Sequence, residues 1–298
     1  MARVRIGTAE GLLDLPGPPE PELGADVTAL ASGPSGWWAL LDRRAVWRDA
    51  GEGWAPVADL ADPSGTCILA DGDGAWVGTA EAHLVRVTDA GAELVGSFEA
   101  APGRETWYTP WGGPPDVRSL AGDDDGALYV NVHVGGILRS PDRAATWEPT
   151  IDVDADVHQV LAAPLPPGRV LAATAGGLAE SHDGGAHWRF QTEGLHAAYC
   201  RAVAVAGGTV LLSASRGPRG GEAALYRRPL EGGPFERCRD GLPASFPDNL
   251  DTHLVSASGA VAAFGTSDGR VFLSRDEGRA WEEAASGLPR IRCVVVDA

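Results

Sequence analysis

Three arginines occupy equivalent places in three similar segments of the chain, "DVRSLA", "YCRAVAV" and "RIRCVVV". They are Arg118, Arg201 and Arg292, and each is the third residue of its segment. A guanidinium group carries paired N–H donors that match the oxygens of a carboxylate or a phosphate. If the fold brings the three segments together, these arginines predict a binding site for a small anionic molecule.

Histidine takes the same place in two further segments, and a carboxylate precedes it by two residues. Asp156 precedes His158 in "DVHQVLA", and Asp251 precedes His253 in "DTHLVSA". Residues two apart on a strand lie on the same side, so we expect each aspartate to share a strand face with its histidine. Tyr199 has the corresponding place in "YCRAVAV". Imidazole, carboxylate and phenol groups can transfer protons or act as nucleophiles. We therefore take four residues as candidate catalytic groups, Asp156, His158, Tyr199 and Asp251, and His253 as a candidate ligand-binding residue.

A third histidine, His133, lies near the end of the strand-like segment "ALYVNVHV" and is also a candidate ligand-binding residue. Together with His158 and His253, and with Asp156 or Asp251, it offers ligands for a divalent metal. His133 and His158 come from adjacent repeats, whereas His253 lies two repeats further on, which disfavours one shared ion. The sequence analysis therefore assigns no metal site and leaves the cofactor unknown.

An aromatic-rich segment, "ETWYTPWGG", precedes Arg118 and lengthens one of the repeats. Long loops that carry aromatic side chains next to polar groups are typical of binding sites. We expect Trp107, Tyr108 and Trp111 to pack over the bound molecule.

All of these residues belong to seven repeats, each of which opens with a short apolar segment. The openings begin at residues 26, 65, 116, 156, 199, 251 and 290. A second stretch rich in small or β-branched residues follows, then a third after a glycine and a fourth after a turn. Four short strands in about 43 residues, without helical periodicity, are typical of a β-propeller blade.

We therefore predict an all-β chain that forms a seven-bladed β-propeller with four-stranded antiparallel blades, as a single domain over residues 1–298. The last repeat has only a first strand, and the chain begins with a second and a third. Strands from both termini should close the ring and remove an exposed sheet edge. The predicted blades are 290–298 with 1–24, then 25–62, 63–113, 114–153, 154–196, 197–248 and 249–289.

One turn recurs between third and fourth strands. "SHDGGAHW" at 181–188 returns as "SRDEGRAW" at 274–281 and, without the glycine, as "SPDRAATW" at 140–147. This S-x-D-x-G-x-x-W pattern resembles the Asp-box, or BNR repeat, of sialidases, sortilin-type receptors and other WD40/YVTN/BNR-like propellers. The resemblance implies the fold and carries little information on function. Its aspartate can accept backbone N–H groups and its tryptophan can pack between sheets, so we expect a structural role.

Sialidases combine an arginine cluster with a tyrosine nucleophile and acidic groups, which is similar to Tyr199 with Asp156 or Asp251. The chain lacks their Phe/Tyr-Arg-Ile-Pro motif, because "VRIGT" at 4–8 has no proline, and sialidases have six blades. A sialidase-type glycoside hydrolase and a metal-assisted hydrolase or lyase both stay open as additions to ligand binding.

The composition of the chain disfavours some classes of partner and favours one cellular compartment. The formal net charge of -17 disfavours nucleic acid and anionic membranes as partners. Four well-separated cysteines and the lack of a secretion signal favour free thiols in a cytoplasmic protein. We expect a small polar, anionic ligand at the channel mouth, the end where each innermost strand begins. The alternative is a non-catalytic scaffold whose partner is a protein.

Overall fold

The structure, a computed structural model, describes residues 2–17, 22–60, 62–163 and 167–297. Within these ranges the chain consists of short β-strands, and its few helical turns lie in connections. They are an α-helix of one turn, α1 (Gly96–Glu99), and the 3-10 turns Ala80–Ala82, Arg104–Thr106 and Val153–Ala155.

The strands are mostly four to seven residues long and rich in β-branched and small residues, which suits a pleated sheet packed on both faces. The first fourteen are β1 (Arg3–Thr8), β2 (Gly11–Leu15), β3 (Val27–Gly33), β4 (Gly36–Leu41), β5 (Ala45–Asp49), β6 (Trp54–Asp59), β7 (Gly65–Asp71), β8 (Gly74–Thr79), β9 (Leu84–Thr88), β10 (Gly91–Leu94), β11 (Val117–Gly122), β12 (Leu128–Val132), β13 (Gly136–Ser140) and β14 (Glu148–Pro149). The rest are β15 (Val157–Ala162), β16 (Val170–Thr174), β17 (Gly177–Ser181), β18 (Arg189–Gln191), β19 (Val203–Ala206), β20 (Thr209–Ala214), β21 (Ala224–Pro229), β22 (Glu236–Arg237), β23 (Val255–Ser258), β24 (Val261–Gly265), β25 (Val271–Ser274), β26 (Glu282–Ala285) and β27 (Ile291–Asp297).

These strands form seven sheets. Six of them are four consecutive strands in chain order, starting at β3, β7, β11, β15, β19 and β23. The seventh has the order β2-β1-β27, and a bridge between Leu12 and Glu22 extends it beyond β2. The predicted fold class is confirmed, and the chain is a seven-bladed β-propeller.

The closing sheet joins the two ends of the chain, as predicted. β1 pairs antiparallel with β27, so that Ile6 lies opposite Val294 and Gly7 opposite Cys293. A Cβ atom at Gly7 would lie 2.5 Å from the Cys293 sulfur. Glycine is therefore required where the two terminal strands approach each other.

Two of the predicted innermost strands begin later than their apolar pattern indicated. β19 begins at Val203 rather than at Tyr199, and β23 begins at Val255 rather than at Asp251. In the turn before β23, His253 has a left-handed backbone with φ 67°. Side chains alternate between faces only along an extended chain, so the prediction that Asp251 and His253 share one face of a strand was wrong.

The chain divides into two compact units by its backbone contacts. One unit comprises Met1–Val27, Ala173–Ala179 and Phe190–Ala298, and the other comprises Thr28–Ala172 and Glu180–Arg189.

Each unit has its own buried apolar clusters. In the first unit, Phe264 stacks on Phe272 and meets Trp281 edge to face, with ring centroids 5.0 Å apart in both pairs. In the second unit, Phe98 packs edge to face on Trp147, also at 5.0 Å. The four cysteines are free and buried, as predicted. Burial raises the pKa of three of these thiols, those of Cys67, Cys200 and Cys293, to about 12.

The three recurring turns share one hydrogen-bond network. The serine hydroxyl donates to the aspartate two residues later and accepts the backbone N–H four residues later. The aspartate then accepts the N–H of the fourth residue after it. In the turn at 181–188 these distances are 2.9 Å from Ser181 to Asp183, 2.8 Å from the Gly185 nitrogen and 2.9 Å from the His187 nitrogen. The equivalent bonds in the other two turns measure 2.8 to 3.0 Å.

Candidate functional site

Two histidines and an aspartate from the second unit converge on one point. His133 follows the last residue of β12, Asp156 immediately precedes β15, and His158 is the second residue of β15. The Oδ1 atom of Asp156 lies 3.2 Å from Nε2 of His133 and 3.5 Å from Nε2 of His158. We call these three residues the His–Asp site.

The backbone around the His–Asp site is held in uncommon conformations. Val134 and Asp156 both have left-handed backbones, with φ of 51° and 47°. Aspartate adopts this region fairly readily, whereas a β-branched valine does so at a cost of about 1–2 kcal/mol. The carbonyl of Val134 accepts a hydrogen bond from the Tyr108 nitrogen at 3.3 Å, which ties this turn to the aromatic segment. Such outliers are often found at functional sites.

The Asp156 carboxyl is ionised in this environment. Contact with His133 is the largest cause that holds its pKa below the ordinary value, and His158 and Arg118 act in the same direction against partial burial. Three of the predicted residues, Arg118, His133 and His158, thus act on the carboxyl of a fourth, Asp156. The His158 side chain is fully buried, whereas those of His133 and Asp156 are 16% and 33% exposed, so solvent reaches the site at these two residues.

The aromatic segment divides into a buried and an exposed part. Trp107 packs on Phe98, with ring centroids 5.8 Å apart. Tyr108 and Trp111 are exposed, by 44% and 69%. The Trp111 ring lies 5.2 Å from the His133 ring, and the Tyr108 hydroxyl donates to Asp154 at 2.9 Å. Trp107 therefore anchors the segment, while Trp111 places an indole beside the His–Asp site.

The other predicted residues lie in the first unit, where two arginines hold carboxylates. One Nη atom of Arg201 lies 2.9 Å from both oxygens of Asp251, and its other Nη donates to the Tyr199 hydroxyl at 3.2 Å. Arg292 donates to both oxygens of Asp26, at 2.9 and 2.6 Å. Asp251 and Tyr199 outweigh burial and raise the pKa of Arg201. Both guanidinium charges are already balanced by carboxylates.

Some of these partnerships were absent from the sequence analysis. The sequence did not identify Asp26, the first residue of the first opening, as the partner of Arg292, and it did not identify Asp154. The run "DVDADV" at 152–157 is the signal that could have drawn attention to Asp154. His253 is not part of the His–Asp site, and its carbonyl accepts the Val294 nitrogen at 2.9 Å.

Comparison with known proteins identifies the architecture and no family. No family model matches the chain, and no curated protein matches it. Among solved structures, an ancestral GH74 enzyme superposes with a TM-score of 0.66 at 13% identity, covering 94% of this chain and 39% of that one. The GH74 xyloglucanase from Xanthomonas campestris superposes with a TM-score of 0.59 at 18% identity, covering 95% and 46%. The chain thus spans less than half the length of either enzyme.

A third similar structure is YCF48 bound to D1 peptide, with a TM-score of 0.58 at 15% identity, covering 94% of this chain and 85% of that one. At these identities the likeness is one of fold. The class of protein is a β-propeller, which includes both glycoside hydrolases and peptide-binding proteins. In the part of the chain that the structure describes, no helix has the length and hydropathy needed to cross a membrane.

Proposed function

We propose that this protein binds a small polar, anionic molecule at the His–Asp site, against the exposed face of Trp111. All residues of the proposed site lie in the second unit. The observation that carries it is the position of Trp111, which is 69% exposed and lies 5.2 Å from the His133 ring. An indole in that position gains little from the core, whereas a ligand packed on it would bury a large apolar face.

Polar groups beside the indole would orient the ligand. The imidazole of His133 is within reach of solvent, and Asp156 supplies a carboxylate that can accept a hydroxyl or an amine of the ligand. Arg118 is the anion-binding residue that we favour, since it is close enough to lower the pKa of Asp156. Arg201 and Arg292 lie in the first unit, where they are paired with Asp251 and Asp26.

The proposal includes binding and assigns no reaction. Glycoside hydrolysis requires two carboxyl groups placed about 5–9.5 Å apart across the scissile bond. Asp156 could serve as one of them, but nothing identifies its counterpart. Tyr199 and Asp251, held together by Arg201 in the first unit, stay candidates for a reaction outside this proposal. The resemblance of the turns to the Asp-box bears on the fold and does not identify the ligand.

The test is a titration of the purified protein with a small panel of molecules: inorganic phosphate, glucuronate, citrate and, as neutral reference, glucose. Binding would be measured by calorimetry and by the rise in melting temperature. Trp111→Ala should weaken binding about threefold to tenfold, which corresponds to the loss of one aromatic contact. The stability of the free protein should change by less than about 0.5 kcal/mol, because the side chain is exposed.

The matched control is Phe190→Ala, which removes another aromatic side chain that is half exposed, in the first unit. This variant should bind as the unmodified protein does. Equal loss of affinity in both variants, or full affinity in Trp111→Ala, would contradict the proposed site.

A second candidate function, a protein-interaction scaffold, is favoured by one observation. Leu94 on β10 and Phe190 on β18 are 53% and 50% exposed, and each lies on the outermost strand of its sheet. Apolar side chains on outer strands are suited to contact with another chain. This alternative predicts that no panel molecule binds and that Leu94→Ser alters recognition of a protein partner, whereas Trp111→Ala does not.

A further inference from the structure

The His–Asp site gathers three donor atoms of the kinds that metals prefer. Among the described residues, His133, Asp156 and His158 form the one group of three whose candidate ligand atoms all lie within 4.8 Å of one another. Two imidazole nitrogens and one carboxylate oxygen suit a divalent transition metal. From the geometry we infer that this site binds a divalent ion of the zinc class through Nε2 of His133, Nε2 of His158 and Oδ1 of Asp156.

The spacing of the donor atoms fits a tetrahedral ion. When ligand atoms lie about 2.1 Å from a tetrahedral metal, neighbouring ligand atoms are about 3.4 Å apart. The two nitrogen–oxygen distances at the site are 3.2 and 3.5 Å. Two of the three ligand–ligand distances are therefore those of a tetrahedral ion, and the two imidazole nitrogens lie within 4.8 Å of each other.

Two other histidine–carboxylate pairs in the described residues make direct hydrogen bonds, whereas His182 and Glu180 lie 3.5 Å apart. Nδ1 of His187 lies 2.7 Å from Asp183, and Nδ1 of His83 lies 2.8 Å from Glu99, which are the distances of direct hydrogen bonds. At the His–Asp site, Oδ1 of Asp156 is buried and accepts no directed hydrogen bond from the described residues. A buried carboxylate oxygen is stabilised by a hydrogen-bond donor or by a cation. A bound metal ion would stabilise this one.

The three donor atoms also indicate which ions the site would bind. Ca²⁺ and Mg²⁺ prefer six or more oxygen ligands, and this site offers one carboxylate. Zn²⁺, Co²⁺ and Ni²⁺ accept imidazole together with carboxylate. The nearby positive charge of Arg118 would reduce affinity for any cation, although it would also help an anion to occupy the open metal position. The inference extends the proposed function, because the anionic molecule would then contact the metal.

The experiment uses the full chain without a histidine tag, treated with a chelator and then dialysed. Co²⁺ is added and the visible bands of a tetrahedral ion are followed, and calorimetry with Zn²⁺ gives the stoichiometry. We expect one ion per chain, and little heat with Ca²⁺ or Mg²⁺. His133→Ala and Asp156→Asn should each weaken Zn²⁺ binding by at least about tenfold.

Asp156→Asn keeps the shape of the side chain, so it tests the site even if a histidine variant folds poorly. The control is His187→Ala, which removes a histidine whose side chain is 88% exposed and should leave Zn²⁺ affinity unchanged. Absence of Co²⁺ bands, or equal affinity in Asp156→Asn and the unmodified protein, would overturn the inference. Zn²⁺ binding without any effect of the anion panel would instead refute the proposed function and leave the metal site intact.

Discussion

The recurring turn provides a sharp test of whether a conspicuous motif is structural. Ser181 is fully buried, its hydroxyl accepts the Gly185 nitrogen at 2.8 Å, and it donates to Asp183 at 2.9 Å. Ser181→Ala removes these two bonds and the longer one that the hydroxyl accepts from the Asp183 nitrogen at 3.3 Å, and it leaves the buried Gly185 N–H without that acceptor. A buried donor that loses its acceptor costs about 1–3 kcal/mol. Asp183 is partly exposed and can be rehydrated, so its lost bond adds little.

We therefore expect Ser181→Ala to lower the free energy of unfolding by about 2 kcal/mol. At about 2 °C for each kcal/mol in a chain of this size, the melting temperature should fall by about 4 °C. Urea denaturation followed by tryptophan fluorescence would give the first quantity and calorimetry the second. Ser286→Ala is the matched control, because Ser286 is exposed directly after β26, and it should change stability by less than about 0.5 kcal/mol.

Two results would refute this reasoning. A loss below about 0.5 kcal/mol in Ser181→Ala would show that the network does not stabilise the hairpin. Reduced binding of Zn²⁺ or of a panel molecule, at unchanged stability, would show that the turn takes part in function.

Two further predictions concern the first unit and the buried thiols. Arg201→Ala should lower the free energy of unfolding, measured by urea denaturation, by about 1 kcal/mol, because its partner Asp251 is 45% exposed and stays hydrated. A loss above about 3 kcal/mol would instead identify a buried ion pair. Burial raises the pKa of Cys67 and of Cys293 to about 12 in the folded protein, whereas an exposed thiol has a pKa of about 8.5. The free energy of unfolding should therefore be constant below about pH 8.5. Above that pH it should fall by about 1.4 kcal/mol per pH unit for each thiol, because only the unfolded chain releases the proton. Urea midpoints between pH 8 and pH 10 should fall less steeply in Cys293→Ala, and an unchanged slope would contradict the assignment.

The repeats made the fold predictable from sequence. Seven apolar openings fixed the number of blades, and the unfinished last repeat predicted the pairing of β27 with β1. The recurring turns could also be predicted from the sequence, even the one that lacks the glycine. Ala144 takes the place of that glycine with φ 69°, so the network tolerates a residue that the motif excludes.

The side-chain partners were less predictable, because the comparison of the seven openings assumed an extended backbone at each of their residues. Asp156 was placed on the same strand face as His158, but its left-handed backbone turns the residue out of that alternation. The carboxylate instead lies between His133 and His158. Likewise, Arg201 and Asp251 come from different repeats, and periodicity along one strand cannot show that they pair.

The sheet that joins β1 to β27 sets a condition on how the chain folds. β1 is synthesised long before its neighbour β27, because almost the whole 298-residue sequence separates the two. At about 5–20 residues per second, β1 leaves the ribosome roughly 15 to 60 s before β27 does. During that interval β1 has an open hydrogen-bonding edge beside β2, a feature that favours aggregation. Contacts this distant in sequence also slow folding. Completion of the propeller should therefore be a late event, and chaperones that shield strand edges should raise the yield of folded protein.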